Sequence, residues 1–132
     1  MPLRWSCCRR LIILPVLFCA LLAAGCGPAP VPPSDSKQAL AIVERLMSQW
    51  KTGVTVGELA QSNPPTFVSE VLWKNGSKLT DYRVVGEGEM LGPNVRFKIS
   101  LKYLGKNGAV AQRSFNYLVT TTPAMTFFRE EG

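Results

Sequence analysis

Residues 95–103 read VRFKISLKY, and this stretch decides the fold because apolar and polar side chains alternate along it without a break. The apolar side chains belong to Val95, Phe97, Ile99, Leu101 and Tyr103. The polar side chains belong to Arg96, Lys98, Ser100 and Lys102. Successive side chains of a strand point to opposite faces of a sheet, so each set occupies one face. The stretch therefore predicts a strand with one buried and one solvated face.

Further strands are predicted on both sides of this stretch. Residues 105–108, Gly-Lys-Asn-Gly, tolerate positive φ and favour a hairpin that returns the chain through residues 111–121. A strand over residues 82–88 precedes the stretch, and residues 125–129 follow a turn at Pro123. The C-terminal half of the chain thus predicts an antiparallel meander of about four strands.

A helix is predicted over residues 35–52, before the meander. Asp35 with Gln38 three positions later forms an N-terminal capping pattern, and Gly53 suits the position that ends a helix. The apolar residues at helical spacing are Leu40, Val43, Leu46, Met47 and Trp50. One face of this helix should therefore pack in a core.

The connection between helix and meander, residues 54–78, is the least regular part. Thr55 with Glu58 forms a second capping pattern, whereas residues 67–74 suit either a strand or a short helix. The tetrapeptide Trp-Lys-x-Gly occurs at 50–53 and again at 73–76. We interpret the two copies as two chain reversals, each with a packed tryptophan, and not as a structural repeat.

A long helix followed by a meander closes its core when the twisted sheet curls around the helix. The predicted class is therefore α+β, and the arrangement resembles the cystatin-like folds, including the nuclear-transport-factor-two-like group. The series Trp73, Gly76, Leu79 and Tyr82 is similar to that of small exported proteins of unknown function. The resemblance implies packing positions and no particular chemistry.

The first 25 residues have the order of a secretory signal. Basic residues (Arg4, Arg9 and Arg10) precede an apolar run over 11–22, and small residues follow. A membrane-spanning helix needs about 20 apolar residues, and this run is shorter and contains Pro15. We expect a cleaved leader.

The sequence Ala23-Ala24-Gly25-Cys26 resembles the lipobox of bacterial lipoprotein precursors, although Ala23 stands where that pattern usually has leucine. The resemblance implies that Cys26 is diacylated on sulfur and becomes the N-terminus. An ordinary secretory peptide is the alternative, but all 4 cysteines lie at or before position 26, so an unmodified Cys26 would be a lone exported thiol. The predicted organisation is a signal peptide over 1–25, a lipidated cysteine with a proline-rich tether over 26–35, and one domain over 36–132.

Composition excludes several kinds of chemistry. The chain has no histidine, and the mature domain has no thiol, so the usual zinc ligands and the Ser/His and Cys/His nucleophile pairs are missing. The formal charge of +6 falls to +3 once the three leader arginines are removed, which is too little to indicate nucleic acid. We expect no metal and no cofactor.

The candidate binding residues are Arg96, Lys98 and Lys102, which alternation places on one face of one strand. Such a face could bind anionic lipid headgroups, an acidic cell-wall polymer or an acidic protein, and an ordinary solvated face is the plainer interpretation. Glu87 with Glu89 is a weaker candidate, for a cation or a shared proton. A catalytic set of Asp81, Tyr82, Tyr103 and Tyr117 is weaker still, because no spacing rule selects it.

Two functions follow from this reading. The first is a non-enzymatic binding or accessory module, anchored by lipid to a membrane of the bacterial envelope and exposed on its periplasmic or outer side. The second is a small-ligand carrier or isomerase-like enzyme with a pocket between helix and sheet. The predicted pocket lining is Trp73, Phe97, Phe115 and Phe127.

Overall fold

A computed structural model describes residue 25, residues 27–30 and residues 32–132. The chain divides into two compact units, Met1–Pro30 and Val31–Gly132. The described residues of the first unit are exposed and form neither helix nor strand. The predicted leader over 1–24 and the lipidation site Cys26 lie outside the described residues. Within the described part, no helix combines the length and apolar character needed to cross a membrane.

The first helix of the second unit, α1 (Ser36–Lys51), is one residue shorter at each end than the predicted range 35–52, since Asp35 and Thr52 are its caps. The Asp35 carboxylate accepts a hydrogen bond of 2.7 Å from the Gln38 backbone N–H, which satisfies one free donor of the first turn. Gly53 has φ +90°, a conformation that glycine adopts without a Cβ clash. The buried face of α1 consists of Ala39, Ile42, Val43, Leu46, Met47 and Trp50.

The connection contains three short elements, α2 (Val56–Ala60), β1 (Thr66–Ser69) and α3 (Val71–Lys74). The predicted Thr55–Glu58 capping box is present at the start of α2. Residues 67–74, which suit either a strand or a short helix, divide between β1 and α3. Glu70 lies between the two elements and caps α3.

Four further strands complete the domain: β2 (Lys78–Leu91), β3 (Asn94–Leu104), β4 (Val110–Thr120) and β5 (Met125–Arg129). Consecutive strands pair antiparallel from β2 to β5, as the predicted meander requires. The prediction of about four strands is wrong by one, because β1 adds to the edge of β5 in parallel. The domain is therefore α+β with a mixed sheet in the order β1-β5-β4-β3-β2.

The core lies between α1 and one face of this sheet, which we call the inner face. It carries the apolar residues of the stretch at 95–103, all of them buried. Two of these residues, Val95 and Phe97, lie directly against Gly88 of β2. A Cβ added at Gly88 would come within 2.6 Å of Val95 and 2.7 Å of Phe97. A glycine is required there because β2 is irregular between Val85 and Glu89 and its backbone crosses directly over the core.

Candidate functional site

The predicted basic residues lie on the other side of the sheet, which we call the outer face. Arg96, Lys98 and Lys102 alternate with buried residues of β3, so all three project to this face. The pairing register adds Arg83 of β2 opposite Ser100, a fourth cation that the sequence analysis did not select. The position of Arg83 beside these residues depends on the pairing register of β2 with β3, which cannot be read from a single sequence.

Arg96 differs from the other cations because its charge is already compensated. Its Nε and Nη2 atoms donate to the two carboxylate oxygens of Glu130 at 2.8 Å each, and its Nη1 atom lies 3.4 Å from Glu89. The bidentate hydrogen bond with Glu130 raises the pKa of Arg96 above its ordinary value. Arg96 thus joins β3 to β2 and to the segment after β5, and the exposed cations of the outer face are Arg83, Lys98 and Lys102.

The structure does not assemble the other candidate sets into a site. Asp81 pairs with Lys102 on the outer face, whereas Tyr82 pairs with Leu101 on the inner face. The Asp81 carboxylate accepts from the backbone N–H of Tyr82 at 2.9 Å and is exposed. Glu87 and Glu89 are both exposed, and Glu89 contacts Arg96. Among the residues described, no group of three or more acids or other metal ligands is close enough to hold a metal ion.

A polar cluster that the sequence analysis missed lies inside the domain, around Glu70. This side chain is 0% exposed, and both of its carboxylate oxygens are in use. One oxygen accepts from the Leu72 backbone N–H at 2.8 Å and lies 3.1 Å from Arg129 Nη1. The other accepts from the Tyr117 hydroxyl at 2.5 Å. Burial, and then the adjacent Glu70 carboxylate, raise the pKa of Tyr117 far above its ordinary value.

The hydrogen-bonding capacity of this cluster is used within the fold. The Glu70 carboxylate is met by an arginine, a phenol and a backbone N–H, so both of its oxygens already have donors. The Tyr117 ring stacks on Phe127 with 4.6 Å between ring centroids, so the phenol is fixed in the core. Neither Glu70 nor Tyr117 is exposed, which leaves no surface for a substrate to contact.

The four aromatic residues predicted to line a pocket separate into two groups. Trp73, Phe97 and Phe127 are buried as core residues. Phe115 is half-buried, and the Arg129 guanidinium lies over its ring at 4.5 Å from the centroid. Phe115 and Arg129 line a surface pocket of about 620 Å³ on the inner face. We call this space the Phe115 pocket.

The two tryptophans of the Trp-Lys-x-Gly sequences pack against each other. Their rings are stacked, with 5.0 Å between centroids and an interplanar angle of 2°. Trp50 Nε1 donates to the Ser77 carbonyl at 2.9 Å, and Trp73 Nε1 donates to the Val54 carbonyl at 2.8 Å. Gly53 and Gly76 both have positive φ, so each copy reverses the chain around its own tryptophan, as predicted. A groove of about 520 Å³ lies beside the pair.

Ser34, within the predicted tether, packs against the folded domain. Its side chain is buried, its Oγ accepts from the Thr121 backbone N–H at 2.8 Å, and its N–H donates to the Pro93 carbonyl at 3.1 Å. Ser34 therefore joins the start of α1 to two loops at one end of the sheet. The packed part of the chain includes this residue of the predicted tether.

Searches against known protein families, curated proteins and solved structures find no match for this chain. Its own residues are therefore the basis of a functional proposal.

Proposed function

We propose that this protein is an exported lipoprotein of a bacterial envelope, in which a non-enzymatic α+β domain binds an anionic component near its membrane. The observation that carries the non-enzymatic assignment is that the Glu70 carboxylate is buried and fully hydrogen-bonded. Glu70 is the most deeply buried acid described, and both of its oxygens already have partners within the fold. A catalytic carboxylate needs a free oxygen within reach of substrate.

The proposed anchor is Cys26, supported by the lipobox-like sequence and by the absence of any later cysteine. Ser34, where the packed domain begins, comes eight positions after Cys26. The intervening segment contains four prolines, which favour an extended polyproline conformation of about 3.1 Å per residue. A tether of this length, about 25 Å, would keep the domain close to the bilayer surface.

The proposed contact surface is the outer face with Arg83, Lys98 and Lys102. All three side chains are exposed, and none forms a salt bridge within the part of the chain that the structure describes. Exposed cations near a membrane attract anionic headgroups by about 1 kcal/mol each. Anchoring adds to such weak contacts because it raises the local concentration of the partner.

Mass spectrometry of the mature protein purified from bacterial membranes tests the anchor. The expected product begins at Cys26 and carries a diacylglyceryl group on its sulfur. The Cys26→Ser variant should lose the lipid and leave the membrane fraction. A wild-type product with a free thiol at Cys26, or with the leader still attached, would refute the anchor.

Co-sedimentation with anionic liposomes tests the contact surface. The unlipidated Cys26→Ser chain without its leader is compared with the same chain carrying Lys98→Glu and Lys102→Glu. We expect the charge-reversed protein to bind liposomes of 30% anionic lipid about tenfold more weakly, since two attractions become repulsions. Equal binding by both proteins would exclude the outer face.

We further propose that the architecture belongs with the cystatin-like folds. The support is one helix of 16 residues against a consecutive meander, with α1 and the inner face of the sheet sharing one core. The parallel strand β1 is the departure from the expected arrangement. An experimental structure that places α1 away from the inner face would contradict this assignment.

A ligand carrier is the second candidate, and the Phe115 pocket is the observation that favours it. The pocket combines an aromatic ring and the Arg113 and Arg129 side chains with two acidic residues, Glu130 and Glu131. An aromatic sulfonate dye such as anilinonaphthalene sulfonate should then bind the native protein and be lost on Phe115→Ala. Unchanged dye binding in the variant would rule out this pocket.

A further inference from the structure

We propose that the groove beside the Trp50–Trp73 pair binds an acidic peptide segment that carries an apolar side chain. This inference concerns a different surface from the outer face, and it does not depend on lipidation.

The groove lies at the end of the domain where α1 stops, which we call the distal end. A helix of 16 residues is about 24 Å long, so this end is far from Ser34. Three chain segments meet there, because Gly53 follows α1, Gly76 follows α3, and Lys78 begins β2. A second groove of about 450 Å³ shares Gly76 and Lys78 with the first and reaches the hairpin between β3 and β4.

Lysines surround these two grooves. Lys74 and Lys78 line the first groove, Lys78 and Lys106 line the second, and all three are exposed. No acidic side chain lines either groove, and none of the three lysines forms a salt bridge with a described residue. The distal end therefore carries an uncompensated positive charge, in contrast to Arg96 on the outer face.

Glu58, which follows the groove residue Gly57 in sequence, already forms hydrogen bonds within α2 and its cap. Glu58 of α2 accepts from the Thr55 backbone N–H at 2.7 Å and from the Thr55 hydroxyl at 2.9 Å. These hydrogen bonds lower the pKa of Glu58, so it stays ionised but is directed to the helix cap. An acidic ligand would thus meet lysines that no carboxylate of the groove lining has neutralised.

The floor of the groove distinguishes a peptide from an acidic polysaccharide. Trp50 and Trp73 are stacked on each other and are 3% and 6% exposed, so neither offers a free aromatic face to a sugar ring. The remaining apolar lining consists of Val54 and Val56, which are half-buried aliphatic side chains. Such a floor is suited to one apolar side chain, flanked by carboxylates that reach the lysines.

Fluorescence anisotropy with defined peptides tests the proposal. The probe is a labelled peptide of twelve residues in which glutamates flank a single central phenylalanine. The protein is the full chain in the form in which it is isolated, kept in a non-ionic detergent. We expect saturable binding that is several-fold tighter than that of the same peptide with a central serine. The reason is that the phenyl ring buries apolar surface against the groove floor, whereas serine does not.

Two charge-reversed proteins locate the binding surface. Lys74→Glu with Lys78→Glu alters the groove, and Lys98→Glu with Lys102→Glu makes the same change in net charge on the outer face. We expect the groove variant to lose about tenfold in affinity at constant ionic strength, and the outer-face variant to lose less than about threefold. Thermal unfolding of both proteins checks that they remain folded.

Three results would overturn the proposal. They are an absence of saturable binding up to millimolar peptide, equal weakening by the two variants, and equal affinity for the phenylalanine and serine peptides. The variant Lys74→Gln with Lys78→Gln supplies a milder change, and an intermediate loss of affinity in this protein supports the assignment. Failure of these experiments would leave the lipid anchor and the outer face untouched.

Discussion

Two buried clusters hold this domain together by different physical means. At the distal end, Trp50 and Trp73 stack and send their indole N–H groups to backbone carbonyls. Inside the sheet, Glu70 binds Tyr117 and Arg129 through charge and hydrogen bonds. The first cluster is mostly apolar, so we expect it to tolerate partial loss. In the second, removal of Glu70 would leave the Arg129 charge without its partner, which we expect to cost more than loss of the Tyr117 hydroxyl.

The contrast also shows which interactions a local pattern can predict. Each tryptophan belongs to a Trp-Lys-x-Gly sequence that marks its own chain reversal, so packing of both residues follows from local signals. Glu70 reaches Tyr117 across 47 positions and Arg129 across a parallel strand pair. No local pattern connects these residues.

The largest expected effect comes from removing the charge at the centre of the polar cluster. Glu70→Ala should lower the free energy of unfolding by about 4 kcal/mol, because Arg129 loses its buried partner and α3 loses its cap. Urea denaturation at pH 7 measures this loss.

A combined variant tests whether the Glu70 effect comes from the unpaired charge. Glu70→Leu with Arg129→Met removes both charges and should recover most of the stability. If the double variant is as unstable as Glu70→Ala, the cluster acts through packing and the contrast with the tryptophans fails.

A smaller effect is expected in the aromatic cluster. Trp73→Phe keeps an aromatic ring beside Trp50 but removes the indole N–H that binds the Val54 carbonyl. The free energy of unfolding should fall by about 2 kcal/mol, from one lost hydrogen bond and part of a ring. Denaturation in urea at pH 7 measures this loss. A loss larger than that of Glu70→Ala would reverse the proposed order of the two clusters.

The third prediction concerns alkaline pH. The pKa of Tyr117 is raised in the folded state, whereas an unfolded tyrosine ionises near pH 10. Below that pH both states keep the proton; above it only the unfolded state releases it, so stability falls as pH rises. The decline contributed by Tyr117 should approach about 1.4 kcal/mol per pH unit.

Tyr117→Phe should lose about 1 kcal/mol at pH 7 and show a shallower decline in stability above pH 10. Urea midpoints at pH 7, 9, 10 and 11 give both slopes. Parallel declines in the wild type and the variant would mean that the phenol does not retain its proton in the fold.

The sequence predicts most of the secondary structure because its signals are local. The alternation at 95–103 predicts β3, Asp35 and Gly53 predict both ends of α1, and Thr55 with Glu58 predicts the start of α2. The sequence leaves residues 67–74 open between a strand and a short helix, because the four residues of β1 are too few to show a period. Its partner β5 lies nearly 60 positions away, and parallel pairing has no turn signal to mark it.

Local sequence patterns predict only part of the candidate site. Alternation places Arg96, Lys98 and Lys102 on one face, but it does not show that Arg96 binds Glu89 and Glu130. Those contacts depend on cross-strand register and on the position of the segment after β5. The lysines of the distal grooves come from α3, β2 and a hairpin, so only tertiary structure brings them together.

The attachment of Ser34 determines how the domain would respond to tension. If the chain is anchored at Cys26 as proposed, a pull along it would arrive first at Pro32, whose carbonyl accepts from the Thr122 hydroxyl at 3.4 Å, and then at the hydrogen bonds from Ser34 to Pro93 and Thr121. The load would be divided between two connections of the sheet before it reached α1. Helix α1 would therefore be loaded only after these contacts had given way.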